Sequence, residues 1–370
     1  MNVIIVNCFE TYEQRVDLLH EVLIKEGHSV RVFASDFCHI EKKTRSSPKK
    51  DYVFFHAEPY FSNFSCRRLR SHKKIAEDIF DYMENNVSDV DLLWVLVPPN
   101  SLVKCAAAYK NRHNVKIIFD LIDLWPETMP IKYFKNVFPL TVWKDLRDKY
   151  IRSADTVVTE CALYRKKTEA VIQGLRTETL YLAKPCFPYI PDVKLPVGKI
   201  SLCYLGSVNN IIDIVSISRI VAEARRKKEV VFHIIGDGNH RNDLIESCRA
   251  AGAEVVFHGI IYDREQKQRI FDGCHYGLNI MKPYVCVGLT MKSIDYMESG
   301  LPLINNIQGD TWEIVDKNKI GINLSDDDTD IFNNDYDMSM RLRARSFFED
   351  NLTYAQFEKK VLGILQCGSV

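Results

Sequence analysis

The fold is decided by the stretch GLTMKSIDYMESGLPLI, residues 288–304. Its first part predicts a helix over residues 291–299, because Thr290 is a suitable N-cap residue and Gly300 is suited to the position just after a helix. A short apolar strand follows at once. A helix that runs directly into a buried strand is typical of a parallel sheet covered by helices.

Strands and helices alternate on both sides of this stretch. In the second half, strands are predicted at 200–205, 230–235, 254–257, 276–280, 303–305 and 321–324, and helices at 211–226, 241–251, 263–272, 291–299, 311–318, 338–348 and 353–365. In the first half, strands are predicted at 3–7, 29–34, 92–97, 115–119 and 156–159, and helices at 11–26, 71–85, 101–112 and 139–153. The pattern predicts an α/β protein with two Rossmann-like, doubly wound parallel-sheet domains facing across a cleft.

A proline-rich segment, residues 184–198, separates the two series. Proline interrupts both helices and sheet ladders, so this segment is a natural domain boundary. We therefore expect an N-terminal domain over 1–190 and a C-terminal domain over 191–350. The last helix, within 351–370, is expected to cross back to the N-terminal domain.

Composition sets limits on the function. The 370 residues are 46% hydrophobic and 26% charged, as in ordinary globular proteins. The 49 basic and 49 acidic side chains balance, so net charge gives no reason to expect nucleic acid as a partner. The N-terminus lacks the features of a signal peptide, and no apolar run approaches the roughly 20 residues of a membrane span. We expect a cytoplasmic protein, and cysteine spacing predicts no metal site.

Three predicted strands of the second half end in glycine turns. Without a Cβ, such a turn allows backbone amides to approach a phosphate or a sugar, although a plain strand-to-helix turn is the alternative. A dinucleotide fingerprint is rejected because Arg241 stands where its third glycine is required. The residues of these turns taken as donor-binding candidates are Gly206, Ser207, Gly236, Asp237 and Gly259.

The most informative side chain is Lys292, in the first turn of the helix that begins after Thr290. A helix dipole disfavours a cation at the N-terminus. The lysine makes sense if an anion shares this end of the helix. Asp295, three residues further, lies on the same helical face.

Five motifs together resemble a known family. They are YLGS at 204–207, IGDG at 235–238, FHG at 257–259, KSIDYMESGLP at 292–302 and FDLIDLWPE at 119–127. Their order is similar to that in GT-B-fold retaining glycosyltransferases of family 4, also called group 1, and in the subset that builds bacterial surface polysaccharides. The likeness covers nearly the whole chain. It implies transfer of a sugar from a nucleotide-sugar, UDP- or GDP-linked, to a saccharide or polyprenyl-diphosphate-linked acceptor. The first domain would bind the acceptor and the second the donor.

The resemblance also implies roles for single residues. Asp295 would grip the ribose hydroxyls, and the backbone of 259–261, which includes Ile260, would contact the base. Lys292 and Lys282 are the candidate cations for the diphosphate. Leu289 and Thr290 lie among the amides at the helix N-terminus.

Two departures from the family pattern concern the donor site. The first glutamate of the family's usual pair is replaced by Val287, and its Arg and Lys after the first glycine turn are replaced by Val208-Asn209-Asn210. Diphosphate binding would then depend on fewer cations.

Sugar transfer requires stabilisation of a departing diphosphate, which lysine and helix amides can supply. We therefore predict an enzyme that needs neither a metal nor another cofactor, and the resemblance implies transfer with retention. The catalytic candidates are Lys292, Asp120 and Asp123. Both aspartates are placed near the end of a buried strand and are expected to face the cleft. Capping of a turn is the alternative for Asp123.

Basic and aromatic residues are interleaved at 42–50, 60–64, 67–74 and 132–140. They predict a surface that rests on anionic lipid at the inner face of the cell membrane, although a solvated face above core aromatics is the alternative. Two other functions remain open, a nucleotide-sugar 2-epimerase of the same fold and a noncatalytic nucleotide-sugar-binding subunit. Turnover distinguishes these two functions from sugar transfer. The epimerase converts sugar nucleotides without an acceptor, and the binding subunit shows no turnover.

Overall fold

The computed structural model describes residues 1–45, 47–62, 65–129, 138, 140–188, 191–325, 331–333 and 335–366. Unit 1 comprises Met1–Ala183 and Tyr354–Val370, and unit 2 comprises Lys184–Thr353. Unit 2 thus begins earlier and ends slightly later than the sequence predicts. The reason is a β-bridge between Lys184 and Thr353, which places the proline-rich segment inside unit 2.

Unit 1 is a parallel sheet with helices on both faces. Its strands are β1 (Asn2–Asn7), β2 (Ser29–Ser35), β3 (Phe37–Cys38), β4 (Lys43–Thr44), β5 (Tyr52–Phe55), β6 (Leu92–Val97), β7 (Lys116–Leu121), β8 (Thr156–Thr159) and β9 (Thr177–Thr179). Its helices are α1 (Glu13–Lys25), α2 (Cys66–Asn86), α3 (Ser101–Lys110), α4 (Leu140–Asp148), α5 (Ala162–Ile172) and the C-terminal α12 (Tyr354–Gln366). The sheet order is β5-β2-β1-β6-β7-β8-β9, and β3 and β4 form a separate hairpin.

Unit 2 repeats this plan. Its strands are β10 (Lys199–Leu205), β11 (Glu229–Ile235), β12 (Ala253–Gly259), β13 (Tyr276–Asn279), β14 (Leu303–Asn305) and β15 (Gly321–Asn323). Its helices are α6 (Ile214–Lys227), α7 (Arg241–Ala250), α8 (Arg264–Asp272), α9 (Met291–Glu298), α10 (Asp310–Asn318) and α11 (Ser339–Asn351). All six strands are parallel in the order β12-β11-β10-β13-β14-β15, and the side on which successive strands are added reverses between β10 and β13. Ligands of such sheets bind at the carboxyl ends of the strands at that point.

Burial explains why these segments are strands and helices. The side chains of β6 are all buried, as expected for a central strand covered on both faces. In α1, Val16, Leu19 and Leu23 form the buried face at helical spacing. In α12, Phe357, Val361 and Ile364 pack into the same apolar layer as the buried side chains of α1. The C-terminal helix is therefore part of the core of unit 1.

The sequence prediction left out four elements of unit 1, namely β5, β9, the β3–β4 hairpin and α5. β5 and β9 are short edge strands of four and three residues. β9 has the polar sequence Thr-Glu-Thr, whereas β5 is apolar but only four residues long. In α5 the buried side chains are Tyr164, Thr168 and Ile172, and only two of them are apolar. The remaining predicted elements are present with small changes at their ends.

Candidate functional site

The candidate site of unit 2 lies where β10 and β13 separate. The two strands pair only at Leu202↔Tyr276 and Cys203↔Gly277. Beyond that point the N–H of Leu205 donates to the Tyr296 hydroxyl of α9 at 2.8 Å. A Cβ on Gly277 would lie 2.7 Å from the Tyr296 ring, so glycine is required for α9 to pack this closely. Helix α9 thus covers the crevice between β10 and β13, where the order of strand connections reverses.

The N-terminus of α9 is built as the sequence predicts. The Thr290 hydroxyl caps the helix by accepting from the N–H of Ser293 at 3.1 Å. The first turn contains no acidic residue. Within the described part of the chain, no acceptor is hydrogen-bonded to the N–H groups of Met291 or Lys292. Two amides and the positive end of the dipole are therefore available to an anion.

Lys292 lies in this turn with its ammonium group against Tyr204. Its Nζ is 3.5 Å from the Tyr204 hydroxyl oxygen and 4.5 Å from the ring centroid. No carboxylate of the described residues lies within 4.0 Å of Nζ. Burial lowers the pKa of Lys292 to about 8. The side chain is thus a charge whose solvation is reduced and which an anion would stabilise.

Glycines of three adjacent strand ends come together beside Lys292. The N–H of Gly206 donates to the Ile235 carbonyl at 2.8 Å, and the N–H of Gly236 donates to the Gly259 carbonyl at 2.7 Å. A Cβ on Gly236 would overlap the carbonyl group of Gly206, so the two backbones meet directly. A Cβ on Gly206 would lie 3.9 Å from Cε of Lys292. The structure therefore brings three predicted glycines and the lysine to one edge.

The other donor-side candidates surround this edge. The carbonyl of Ser207 accepts from the Tyr204 hydroxyl at 2.9 Å. The Asp237 carboxylate accepts from the N–H of Gly238 at 2.7 Å, and Arg241 lies 3.4 Å from it. The remaining candidates differ in exposure: Ile260 is exposed directly after β12, Lys282 is half-buried and Leu289 is buried.

Lys282 belongs to the loop after β13, which is joined to the loop after β10. Its N–H donates to the Ile211 carbonyl at 2.9 Å, and Ile212 and Met281 form an antiparallel bridge. The loops that follow β10 and β13 are thus held together by backbone hydrogen bonds.

Asp295 is less open than the sequence suggests. Its carboxylate lies 2.5 Å from Nζ of Lys184 and 3.6 Å from Nζ of Lys267. Lys184 also lies 3.1 Å from Glu298. A ribose would have to share or displace these lysines to reach the carboxylate. Ribose binding by Asp295 stays a prediction.

The expected position of Asp120 is wrong. Its fully buried carboxylate accepts from Nε and Nη2 of Arg15 at 2.9 and 2.8 Å and from Nε1 of Trp94 at 3.0 Å. Arg15 belongs to α1, so Asp120 points into the layer beneath that helix. Both oxygens are satisfied there, and the pair acts as a buried structural bridge.

Asp123 organises the loop that follows β7. It accepts from the N–H of Leu124 at 2.8 Å, from Nε1 of Trp125 at 2.6 Å and from the Thr128 hydroxyl. Burial raises the pKa of Asp123, and these three donors oppose the increase. The contacts match the capping alternative, while a role in chemistry stays a prediction.

An aromatic cluster beside Asp123 was not predicted. The His72 ring stacks on Trp125 at 6.0 Å, and the Arg68 guanidinium lies 4.3 Å from the centroid of Trp125. The Tyr60 hydroxyl lies 2.8 Å from Nδ1 of His39. Burial lowers the pKa of His39 and of His72, so both side chains are neutral at pH 7. Tyr60, Arg68 and His72 belong to the basic and aromatic segments 60–64 and 67–74, and their burial matches the alternative of core aromatics for those positions. No spacing signal connects them to Trp125.

The basic and aromatic segments have exposed apolar side chains. Phe61 is 75% exposed and Phe138 is 78% exposed. Most of the 132–140 segment lies outside the described residues. Among the residues that are described, no helix has the length and apolar character to cross a bilayer.

Residues 199–335 match the family model described as "Glycosyl transferases group 1". Among curated protein sequences, none matches the chain at a significant level. Solved structures similar to the whole chain include sucrose-phosphate synthase of Thermosynechococcus elongatus, with a TM-score of 0.69, 14% identity and 99% of both chains covered. HepE of Anabaena in complex with UDP has a TM-score of 0.68 and 11% identity, with 99% of this chain and 100% of that chain covered.

The lipopolysaccharide outer core galactosyltransferase WaaB, in its apo form, has a TM-score of 0.68 and 14% identity, with 98% of this chain and 100% of that chain covered. At these identities the likenesses establish the fold, which is the two-domain GT-B fold. The family match adds that residues 199–335 are similar to a glycosyl transferase domain, which supports sugar transfer. These residues include Gly206, Gly236 and Gly259, which form the glycine edge.

Proposed function

We propose that the protein is a retaining glycosyltransferase whose unit 2 binds a nucleotide-sugar with its diphosphate at the N-terminus of α9. The observation that carries the proposal is Lys292. It combines reduced solvation, no carboxylate partner among the described residues and two available amides at the same helix end. A diphosphate complements all three, since it accepts from amides and ammonium alike.

The same contacts favour the transition state. When the bond between the anomeric carbon and the phosphate oxygen breaks, the diphosphate gains charge. Lys292 and the amides of α9 then bind it more strongly than they bind the intact donor. The glycine edge at Gly206, Gly236 and Gly259 allows the backbone to come close to the same group. Neither binding of the diphosphate nor its departure requires a metal in this scheme, so we expect activity in the presence of a chelator.

The donor is proposed from the family match and from a structural neighbour. HepE was solved with UDP and with UDP-glucose, and the matched residues 199–335 contain the glycine edge and α9. We therefore propose a UDP-sugar, with a GDP-sugar as the next choice. The acceptor would be a saccharide or a polyprenyl-diphosphate-linked saccharide bound by unit 1, in the synthesis of a bacterial surface polysaccharide.

The basic and aromatic segments support a position at the inner face of the cell membrane. The exposed Phe61 and Phe138 belong to two of these segments. Lysine and arginine attract anionic lipid, and exposed apolar side chains can enter the interface. A peripheral enzyme of this kind would reach a lipid-linked acceptor without crossing the bilayer.

The test has two parts. UDP and GDP, each at millimolar concentration, should raise the melting temperature by mass action, because a ligand of the native state stabilises it. Labelled UDP-sugars should then be consumed in the presence of candidate acceptors with the chelator EDTA present. Interconversion of sugar nucleotides without acceptor would indicate the epimerase, and binding without any turnover would indicate the noncatalytic subunit. No response to either nucleotide would overturn the proposal.

A further inference from the structure

Three asparagines end the adjacent strands β13, β14 and β15. Asn279, Asn305 and Asn323 occupy equivalent registers, since Asn279 pairs with Asn305 and Asn305 with Asn323. The amide Nδ2 of Asn279 donates to Oδ1 of Asn305 at 2.8 Å, and Nδ2 of Asn305 donates to Oδ1 of Asn323 at 2.8 Å. Asn279 and Asn305 have no exposed surface. A buried row of amides thus follows the carboxyl edge of the sheet.

The row leads to the N-cap of α9. The Thr290 hydroxyl lies 3.1 Å from Oδ1 of Asn279 and 2.6 Å from the Ser293 hydroxyl. It also accepts from the N–H of Ser293 at 3.1 Å. Thr290, Asn279 and Asn305 form what we term the relay. Asn323 is an outer branch of it.

The orientation of the relay is set by backbone groups that cannot reverse their roles. At Asn305, Oδ1 accepts from the N–H of Ile307 at 3.2 Å and Nδ2 donates to the Ile307 carbonyl at 3.0 Å. Asn279 must therefore present Nδ2 to Asn305 and Oδ1 to Thr290. Since a hydroxyl has one proton, that of Thr290 is directed to Asn279. Both lone pairs of Thr290 then remain for the two groups of Ser293.

We propose that Asn279 is a positioning residue for the anion site at α9. It acts through Thr290, whose hydroxyl becomes a pure acceptor toward the first turn of the helix. That turn carries the Lys292 ammonium and the N–H groups of Met291 and Lys292, which have no acceptor among the described residues. The inference rests on the proposed function, because the anion is the donor diphosphate. Asn323 is dispensable for it, since the orientation of Asn305 is already fixed by Ile307.

The test compares Asn279→Leu with Asn323→Ala, using UDP as the probe. In calorimetry, Asn279→Leu should weaken UDP binding by about tenfold or more, the effect of losing a buried hydrogen bond that orders the site. Asn323→Ala should keep the affinity within about twofold, even if its melting temperature falls. Equal losses in the two variants, or no loss in Asn279→Leu, would overturn the proposal.

Thr290 provides the evidence that a general loss of stability cannot mimic. Thr290→Val should weaken UDP binding as Asn279→Leu does, whereas Thr290→Ser should bind UDP like the wild type. The double variant Asn279→Leu/Thr290→Val should bind UDP no worse than either single variant. Additive losses in the double variant would show that Asn279 does not act through Thr290.

A second measurement is independent of the ligand. In Asn279→Leu, hydrogen exchange at the Ser293 amide should accelerate by about tenfold or more, with no such change in Asn323→Ala. Unchanged exchange would overturn the positioning role. Failure of wild-type protein to bind UDP would instead overturn the proposed function.

Discussion

Replacement of Lys292 by methionine is expected to stabilise the protein without ligand and to weaken nucleotide binding. Methionine keeps the length and apolar contact of the side chain against Tyr204 and removes the charge. Burial lowers the pKa of Lys292 from 10.5 to about 8. Each unit of pKa shift corresponds to about 1.36 kcal/mol, so keeping this lysine charged costs the native state about 3 kcal/mol below pH 8.

Two effects reduce the stability that Lys292→Met is expected to gain. The side chain is half-buried, so water offsets part of the cost, and the cation–π contact with Tyr204 contributes about 1 kcal/mol that the variant loses. A net gain of about 2 kcal/mol corresponds to a rise in melting temperature of roughly 4–8 °C for a unit of this size. Lys194→Met is the matched control, because Lys194 is 78% exposed and should show no such rise.

The free energy of unfolding depends on pH through Lys292, and the sign of this dependence is definite. The pKa in the native state lies below that in the unfolded state, so the wild-type penalty is complete below about pH 8 and fades as the pH rises to 10.5. The stability gain of Lys292→Met should fade over the same interval. UDP affinity of the wild type should decrease as the pH rises beyond about 8, while that of the variant stays flat.

Calorimetric titration with UDP completes the experiment. Loss of a charge-assisted hydrogen bond, about 1.5–3 kcal/mol, should weaken binding by about 10- to 150-fold, and turnover should decrease with it. A lower melting temperature in the absence of ligand, together with unchanged UDP affinity, would refute the reasoning and leave Lys292 as an ordinary structural lysine.

Three further predictions concern unit 1. Asp120→Asn should destabilise the protein by about 3–5 kcal/mol in urea unfolding, because Arg15 would remain buried without its counter-charge; an unchanged midpoint would contradict the structural role. Asp123→Asn should lower turnover by about tenfold or more with UDP binding retained, since a role in chemistry needs the negative charge that the amide lacks. Thr128→Val removes one of the hydrogen bonds to Asp123, and an equal loss in both variants would reduce Asp123 to a loop-ordering role. Sedimentation with vesicles should show binding to anionic lipid that salt weakens, because exposed charges are screened over about 10 Å at 0.1 M; equal binding to neutral vesicles would exclude the electrostatic part.

The fold could be predicted because its determinants are local. Buried parallel strands are continuous apolar runs, and helix ends carry their own signals, as Thr290 and Gly300 do for α9. The elements that escaped prediction are those whose stability comes from neighbours. β9 is a polar edge strand, and it becomes a strand only because β8 supplies its hydrogen bonds.

Side-chain partners across long sequence separations could not be predicted. Arg15 is 105 residues from Asp120, and Lys184 is 111 residues from Asp295, so spacing gives no sign of either pair. Both aspartates therefore look open in the sequence and are held by cations in the structure. The relay could not be predicted for the same reason, since β13 and β14 must pair in register before the amides of Asn279 and Asn305 meet.

The position of α12 in unit 1 has a consequence for synthesis of the chain. All of unit 2 is translated before Phe357, Val361 and Ile364, the side chains that complete one apolar layer of unit 1. The unit that begins first on the ribosome therefore finishes last, and until then the apolar layer that α1 shares with the sheet lacks α12. During that interval, unit 1 presents an apolar surface to chaperones and to other nascent chains.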